Sequence, residues 1–408
     1  MSKDLHEKAL AYHQEGKPGK LDVTSHKKLD NDQDLSLAYS PGVAAPVREI
    51  VKDQSNVNQY TIKGNLVAVI TDGSAVLGLG NVGPLAAKPV MEGKAVLFKY
   101  FADINAFNIE LDTQDVDEIV KTIKNIAPTF GGINLEDISA PRCFEIERRL
   151  IDELDIPVFH DDQHGTAIIV AAGLLNALEI QGKSVSSAKI VVAGGGSAGI
   201  ATLDLLLNLG FKKENMILVD RRGIVSKEQI SIVNKYKAAF AVDTDKKTLA
   251  DALDGADVFI GVARGNLVTK KMVKSMAKNP IVFALSNPDP EISVEDVFAC
   301  RDDAVMATGR SDFPNQVNNV LGFPYIFRGA LDANSKIINT EMKVAAVHAI
   351  KDIAKLPVPQ SLLEIYQVDE LSFGKDYFIP KPFDPRLIDL IPKAIFDAAV
   401  KSGVARLK

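Results

Sequence analysis

Short, wholly apolar runs alternate with helix-period segments along most of the 408 residues. Such runs predict strands buried on both faces, hence a parallel sheet with crossover helices rather than half-exposed hairpins. In the first part, strand-length runs fall at 66–70, 95–98 and 158–159, and the spacing predicts helices over 116–126 and 141–154. Ahead of them, 4–15 has helical composition and stops at Gly16, and 29–37 reads as a polar loop. Beyond an Ala- and Leu-rich helix at 165–179, runs at 189–193, 216–219, 258–261, 281–284 and 305–306 alternate with helical stretches at 200–209, 226–235, 249–253 and 269–276. That alternation is the mark of a doubly wound sheet. Helices at 344–353 and 387–400 are expected to pack back onto it or onto a second subunit. The fold class is therefore α/β: an N-terminal α/β domain, 1–160, and a Rossmann-like parallel-sheet domain with a helical C-terminal part, 161–408.

The run at 189–193 feeds directly into Gly194, Gly195, Gly196, Ser197, Ala198 and Gly199, and a helix-forming stretch follows. A G-x-G-x-x-G turn between strand and helix is a dinucleotide cradle: its glycines let backbone approach a pyrophosphate, and the helix N-terminus offers amides to the charge. Asp220 ends the next strand, where an acid accepts from an adenosine ribose and repels a 2′-phosphate. That favours NAD, with NADP left open by Arg221 and Arg222.

Two acidic pairs, Glu136-Asp137 and Asp161-Asp162, each close a short apolar run, the place where α/β sheets build sites. Carboxylates without thiolates suit Mg²⁺ or Mn²⁺ better than Zn²⁺. His160 and His164 flank the second pair but would shift preference to softer ions, so they are not taken as ligands, and Cys143 reads as structural. Solvated turn acids are the ordinary alternative for either pair alone.

Composition narrows the classes. A formal net charge of −6 leaves no basic surface for nucleic acid, and two cysteines make no disulfide framework. With no apolar stretch near signal-peptide or membrane-span length, a cytoplasmic protein is expected.

Whole segments carry a sharper signal. ITDGSAVLGLGNVGPLAAKPVMEGKAVLF (70–98), INLEDISAP (133–141), FHDDQHGTA (159–167), ALSNPDPE (284–291) and QVNNVLGFPYIFRGALD (316–332) resemble the malic enzymes of the short bacterial type, in order and spacing. The resemblance implies a divalent metal held by Glu136, Asp137 and Asp162, with Asp161 as an orienting carboxylate. It implies Lys94 as the base, its pKa lowered by burial or by the metal, and Tyr39 as proton donor to the enolpyruvate carbon. Asn287 and Asn319 match positions on the substrate and nicotinamide side, and a homodimer is expected. Longer relatives place an arginine after the Asp-Gly of the first segment, where this chain has Ser74-Ala75, so the substrate carboxylate must be held differently. Regulation through a C-terminal phosphotransacetylase-like extension is not expected. The function so implied is metal-dependent oxidative decarboxylation of malate to pyruvate and CO₂ with reduction of NAD(P)⁺. A soluble oxaloacetate decarboxylase is the alternative, and the intact glycine turn with Asp220 argues for the redox reaction.

Overall fold

The computed structural model describes residues 3–407. Two parallel sheets follow one another along the chain. The first comprises β1 (Leu66–Thr71), β2 (Asn105–Glu110), β3 (Gly132–Leu135) and β4 (Val158–His160) in the order β2-β1-β3-β4. The second comprises β5 (Ile190–Ala193), β6 (Met216–Asp220), β7 (Gly223–Ile224), β8 (Val258–Gly261), β9 (Ile281–Ala284) and β10 (Val305–Thr308), ordered β10-β9-β8-β5-β6-β7. Only β7 runs antiparallel. All six residues of β1 are buried, as both faces of a helix-covered parallel sheet require.

The run at 95–98 is not a strand. It lies inside the helix Pro84–Ala102, whose buried residues Ala87, Met91, Ala95, Phe98 and Ala102 recur at three- and four-residue steps. The second strand of that sheet is instead Asn105–Glu110, an edge strand with no fully buried residue, so it carries no apolar run to read. The expected loop at 29–37 overlaps the helix Asp32–Ala38, started by the Asn31 side chain accepting from the Asp34 N–H, although it buries nothing. The expected helix at 226–235 is only a single turn, Lys227–Gln229, followed by the short helix Lys235–Ala238.

The C-terminal helices join the two sheets. Phe323 and Phe327, on the helix Phe323–Asp332, pack edge-on against Phe98 at 4.8 and 5.3 Å, and Phe327 also meets Phe159. The helix Thr340–Ile353 packs on Thr166–Ile180, which is buried almost all round and so lies inside one continuous core. The C-terminal layer packs within its own chain and reaches the first sheet as well as the second. Residues 4–65 differ from the rest, because none of them is buried.

Candidate metal and cofactor site

The strand ends concentrate charge. Glu136 and Asp137 follow β3, Asp161 and Asp162 follow β4, and these strands are neighbours. One carboxylate oxygen each from Glu136, Asp137 and Asp162 lie within 4.8 Å of one another. Asp137 holds a left-handed backbone, φ +54°, and its N–H donates to Asp162 Oδ2 at 2.7 Å. Strain of that kind in a non-glycine residue persists only where the surroundings fix it. An oxygen-only set of this size fits a hard divalent cation.

Lys94 approaches from the helix Pro84–Ala102, its side chain 10% exposed. Its ammonium donates to Asp161 Oδ2 at 2.6 Å and lies 2.9 Å from Glu136 Oε1, over the face of Phe323 at 4.2 Å. Burial alone would lower its pKa, but Asp161 and Glu136 outweigh burial and raise it. The lowered value expected from the sequence is therefore opposed by Asp161 and Glu136. Glu136 is raised well above its ordinary value by burial and by repulsion from Asp162, Asp161 and Asp137, against the pull of Lys94. Four carboxylates thus gather around one ammonium, a negative excess that a divalent ion would offset.

Asn319, from the second half of the chain, donates to Asp161 Oδ2 at 3.0 Å and accepts from Thr166 Oγ1. A Cβ at Gly165 would sit 1.9 Å from Asp161 Oδ1, so only glycine lets that carboxylate fold back. Glu147 clamps the acidic turn on both sides, accepting from the His160 N–H at 2.9 Å and from His164 Nε2 at 3.0 Å. Burial pushes its carboxyl up, but His164 and Lys343 hold it down to about 2. His164 thus serves the turn through its ring, whereas His160 serves it through its backbone N–H and its ring Nδ1 lies 3.7 Å from Asp162 Oδ2.

The glycine turn lies elsewhere, where the second sheet changes direction between β5 and β8. A cavity of about 1040 Å³ there is lined by Gly194, Gly195, Gly196, Asp220 and, from the first half of the chain, Pro141. A Cβ at Gly199 would lie 1.9 Å from the Gly194 carbonyl oxygen, so helix and turn pack this closely only with glycine. Asp220 is already engaged: Lys237 Nζ donates to its Oδ2 at 2.7 Å, and the Lys237 stem lies against Gly195. Arg221, Arg222, Lys247 and Arg264 line the same cavity.

Lys94, Glu136, Asp137, Asp161, Asp162 and Asn319 therefore form one cluster, and Gly194 to Gly199 with Asp220 form a second. Asn287 sits on the loop after β9, at a cis Asn287–Pro288 bond, where its carbonyl oxygen would lie 2.7 Å from a Cβ on Gly78. Tyr39 joins neither cluster: it is 72% exposed and its hydrogen bonds are backbone ones within its own segment. Sequence reasoning missed Lys237, Phe323 and Glu147. Nothing local marks Lys237, 17 positions after Asp220, whereas Phe323 lies inside a segment already singled out.

Residues 18–151 match the family model for the malic enzyme N-terminal domain, and 163–373 match that for the malic enzyme NAD binding domain. An NADP-dependent malic enzyme of Halomonas elongata is 58% identical over 98% of this chain and 94% of its own length. An NAD-dependent malic enzyme of Rhizobium meliloti is 52% identical over 99% of this chain, which spans only 52% of that protein. The crystal structure of a malic enzyme from Pyrococcus horikoshii superposes with a TM-score of 0.90 at 43% identity, covering 99% of this chain and 92% of that one.

Proposed function

The chain belongs to the malic enzyme family, decarboxylating oxidoreductases that use NAD or NADP, and from that premise we propose that it converts malate to pyruvate and CO₂ at the Lys94 cluster, with a Mg²⁺ or Mn²⁺ ion on Glu136, Asp137 and Asp162. The observation that carries this reading is the convergence of three carboxylates on one point beside a buried lysine. When bound, the ion would polarise the substrate's hydroxyl and carbonyl oxygen and offset the enolate charge. Lys94 takes the hydroxyl proton, Asp161 and Phe323 hold its ammonium in place, and Asn319 fixes Asp161. Asn287 supplies a neutral amide on the nicotinamide side. In the test, malate with each nicotinamide cofactor and each metal should generate reduced-cofactor absorbance and pyruvate together; oxaloacetate decarboxylation without malate oxidation would overturn the redox reading.

The cofactor in this reading is NADP. Asp220 favours NAD only while its charge is free, and Lys237 neutralises it while four more cations line the cavity. A lysine freed from Asp220 by a 2′-phosphate keeps a partner of the same sign. Changing Lys237→Ala should lower kcat/KM with NADP⁺ by roughly 10–100-fold, the worth of one charged hydrogen bond, and leave that with NAD⁺ within a few-fold. An unaltered preference would remove Lys237 from cofactor choice.

Tyr39 is proposed to act on a second copy of the chain. Its segment buries nothing of its own, while Leu37, Val47 and Val51 stand more than half exposed, so a homodimer would cover them and seat each Tyr39 in the other copy's site. Mixing inactive Tyr39→Phe and Lys94→Ala proteins and letting subunits exchange should restore about a quarter of normal activity, because half the dimers are mixed and each has one intact site. Absence of any recovery, with exchange verified, would place Tyr39 in its own subunit.

A further inference from the structure

We infer that the groove at the amino-terminal ends of the first sheet's strands, opposite the metal cluster, is a binding site for a small polyvalent anion held by Lys63 and Arg406. The groove has a volume of about 1290 Å³ and is lined by Asn65, Gly131 and Ile156, which lie just ahead of β1, β3 and β4. The metal ligands follow the other ends of β3 and β4, so the two sites are separated by the length of the strands.

Charge accounting singles out the two cations. Four carboxylates line the groove, and each is already in an ion pair: Asp103 with Lys99, Glu153 with Lys124, Asp155 with Lys336 and Asp332 with Arg328. Lys63 and Arg406 have no such pair among the described residues. The Lys63 ammonium donates to the Phe130 carbonyl. Arg406 donates from Nε to the Asn334 carbonyl at 2.9 Å and from Nη2 to the Asp155 carbonyl at 2.7 Å. Neutral carbonyls fix both groups in position without cancelling their charge. The two are close enough to repel: burial first, and then Arg406, lower the Lys63 pKa. Lys63, half-buried, and Arg406, exposed, are two neighbouring like charges outside any direct ion pair, the Asp155 carboxylate that also feels Arg406 being held by Lys336, and together they form an anion receptor fixed in position by carbonyls. Phosphate and carboxylate groups share the required chemistry, and the volume admits a ligand larger than a single phosphate.

Calorimetric titration of the full chain tests this, without metal and with NADP⁺ saturating so that the glycine turn is occupied. Inorganic phosphate and citrate serve as separate probes for the two anion types. At least one should bind with a Kd in the millimolar range or below. The Lys63→Met/Arg406→Met protein should lose at least ten-fold in affinity, and Lys63→Arg should retain binding. If the double variant does not fold, Arg406→Met alone should show the loss. No binding of either probe to the unaltered protein, or equal binding to a folded variant, would overturn the inference.

Discussion

Replacing Lys94 with arginine should lower kcat for malate oxidation by about 10²–10⁴-fold, the usual worth of a positioned base, while metal affinity and the fold are retained. Arginine keeps a cation between Asp161 and Glu136 but cannot release its proton near neutral pH. Lys94→Ala should lose the same activity and in addition melt at lower temperature. It leaves Asp161, fully buried, and Glu136 without a counter-charge, and breaking a buried pair in this way costs about 3–5 kcal/mol. The two variants separate proton transfer from charge compensation, since only alanine disturbs both. The sign of the lysine's own shift matters here. Because Asp161 and Glu136 raise its pKa above the ordinary value, the stability it contributes is present at all pH values below the unfolded pKa and is lost only as pH rises through the folded one. As a base near neutral pH it therefore depends on the change in local charge that metal binding to Glu136 would bring. An arginine variant with near-normal kcat would remove Lys94 from the proton-transfer role.

Elements whose side chains repeat a single environment were legible in the sequence. β8 and β9 are buried at every residue and coincide with their apolar runs, and the helix Val116–Ile126 matches the expected span. Legibility failed where environment varied within a segment. Ala95 to Phe98 are apolar because they belong to the inner side of a long helix, and the run hides the three- and four-residue steps that flank it. Asn105–Glu110 is held by pairing with β1 and not by burial, so composition does not mark it. The site divides in the same way. Glu136-Asp137 and Asp161-Asp162 stand out as adjacent acids, yet their separation into three converging carboxylates and one lysine partner follows from the registers β1–β3 and β3–β4. Lys237 and Arg406 owe their significance to partners 17 to 251 positions away in the chain, which no local pattern encodes.

Asp162 should prove as indispensable as Lys94, by a different route. Changing Asp162→Ala removes one of three carboxylates from the cluster and should weaken Mn²⁺ binding by at least about 100-fold, with malate oxidation falling to background at ordinary metal concentrations. The same substitution releases the Asp137 N–H, which Asp162 Oδ2 accepts at 2.7 Å, and so frees a residue held at φ +54°. Asp162→Asn distinguishes the two effects: its side-chain oxygen still accepts from Asp137 but brings no charge to the metal. If charge is what matters, asparagine should behave like alanine in metal titrations while keeping the melting temperature of the unaltered protein. The pH dependence carries an independent sign. Burial and the neighbouring carboxylates raise Glu136 above its usual pKa, so below that raised value a proton occupies the group the ion needs. Metal affinity should therefore fall as pH is lowered through a range above that of an ordinary glutamate, with up to one proton released per ion bound. Removing Asp162 takes away one source of that repulsion and should shift the dependence to lower pH. Calorimetry in buffers of different ionisation enthalpy would measure the released proton, and pH-independent binding together with full activity of Asp162→Ala would sink the three-carboxylate assignment.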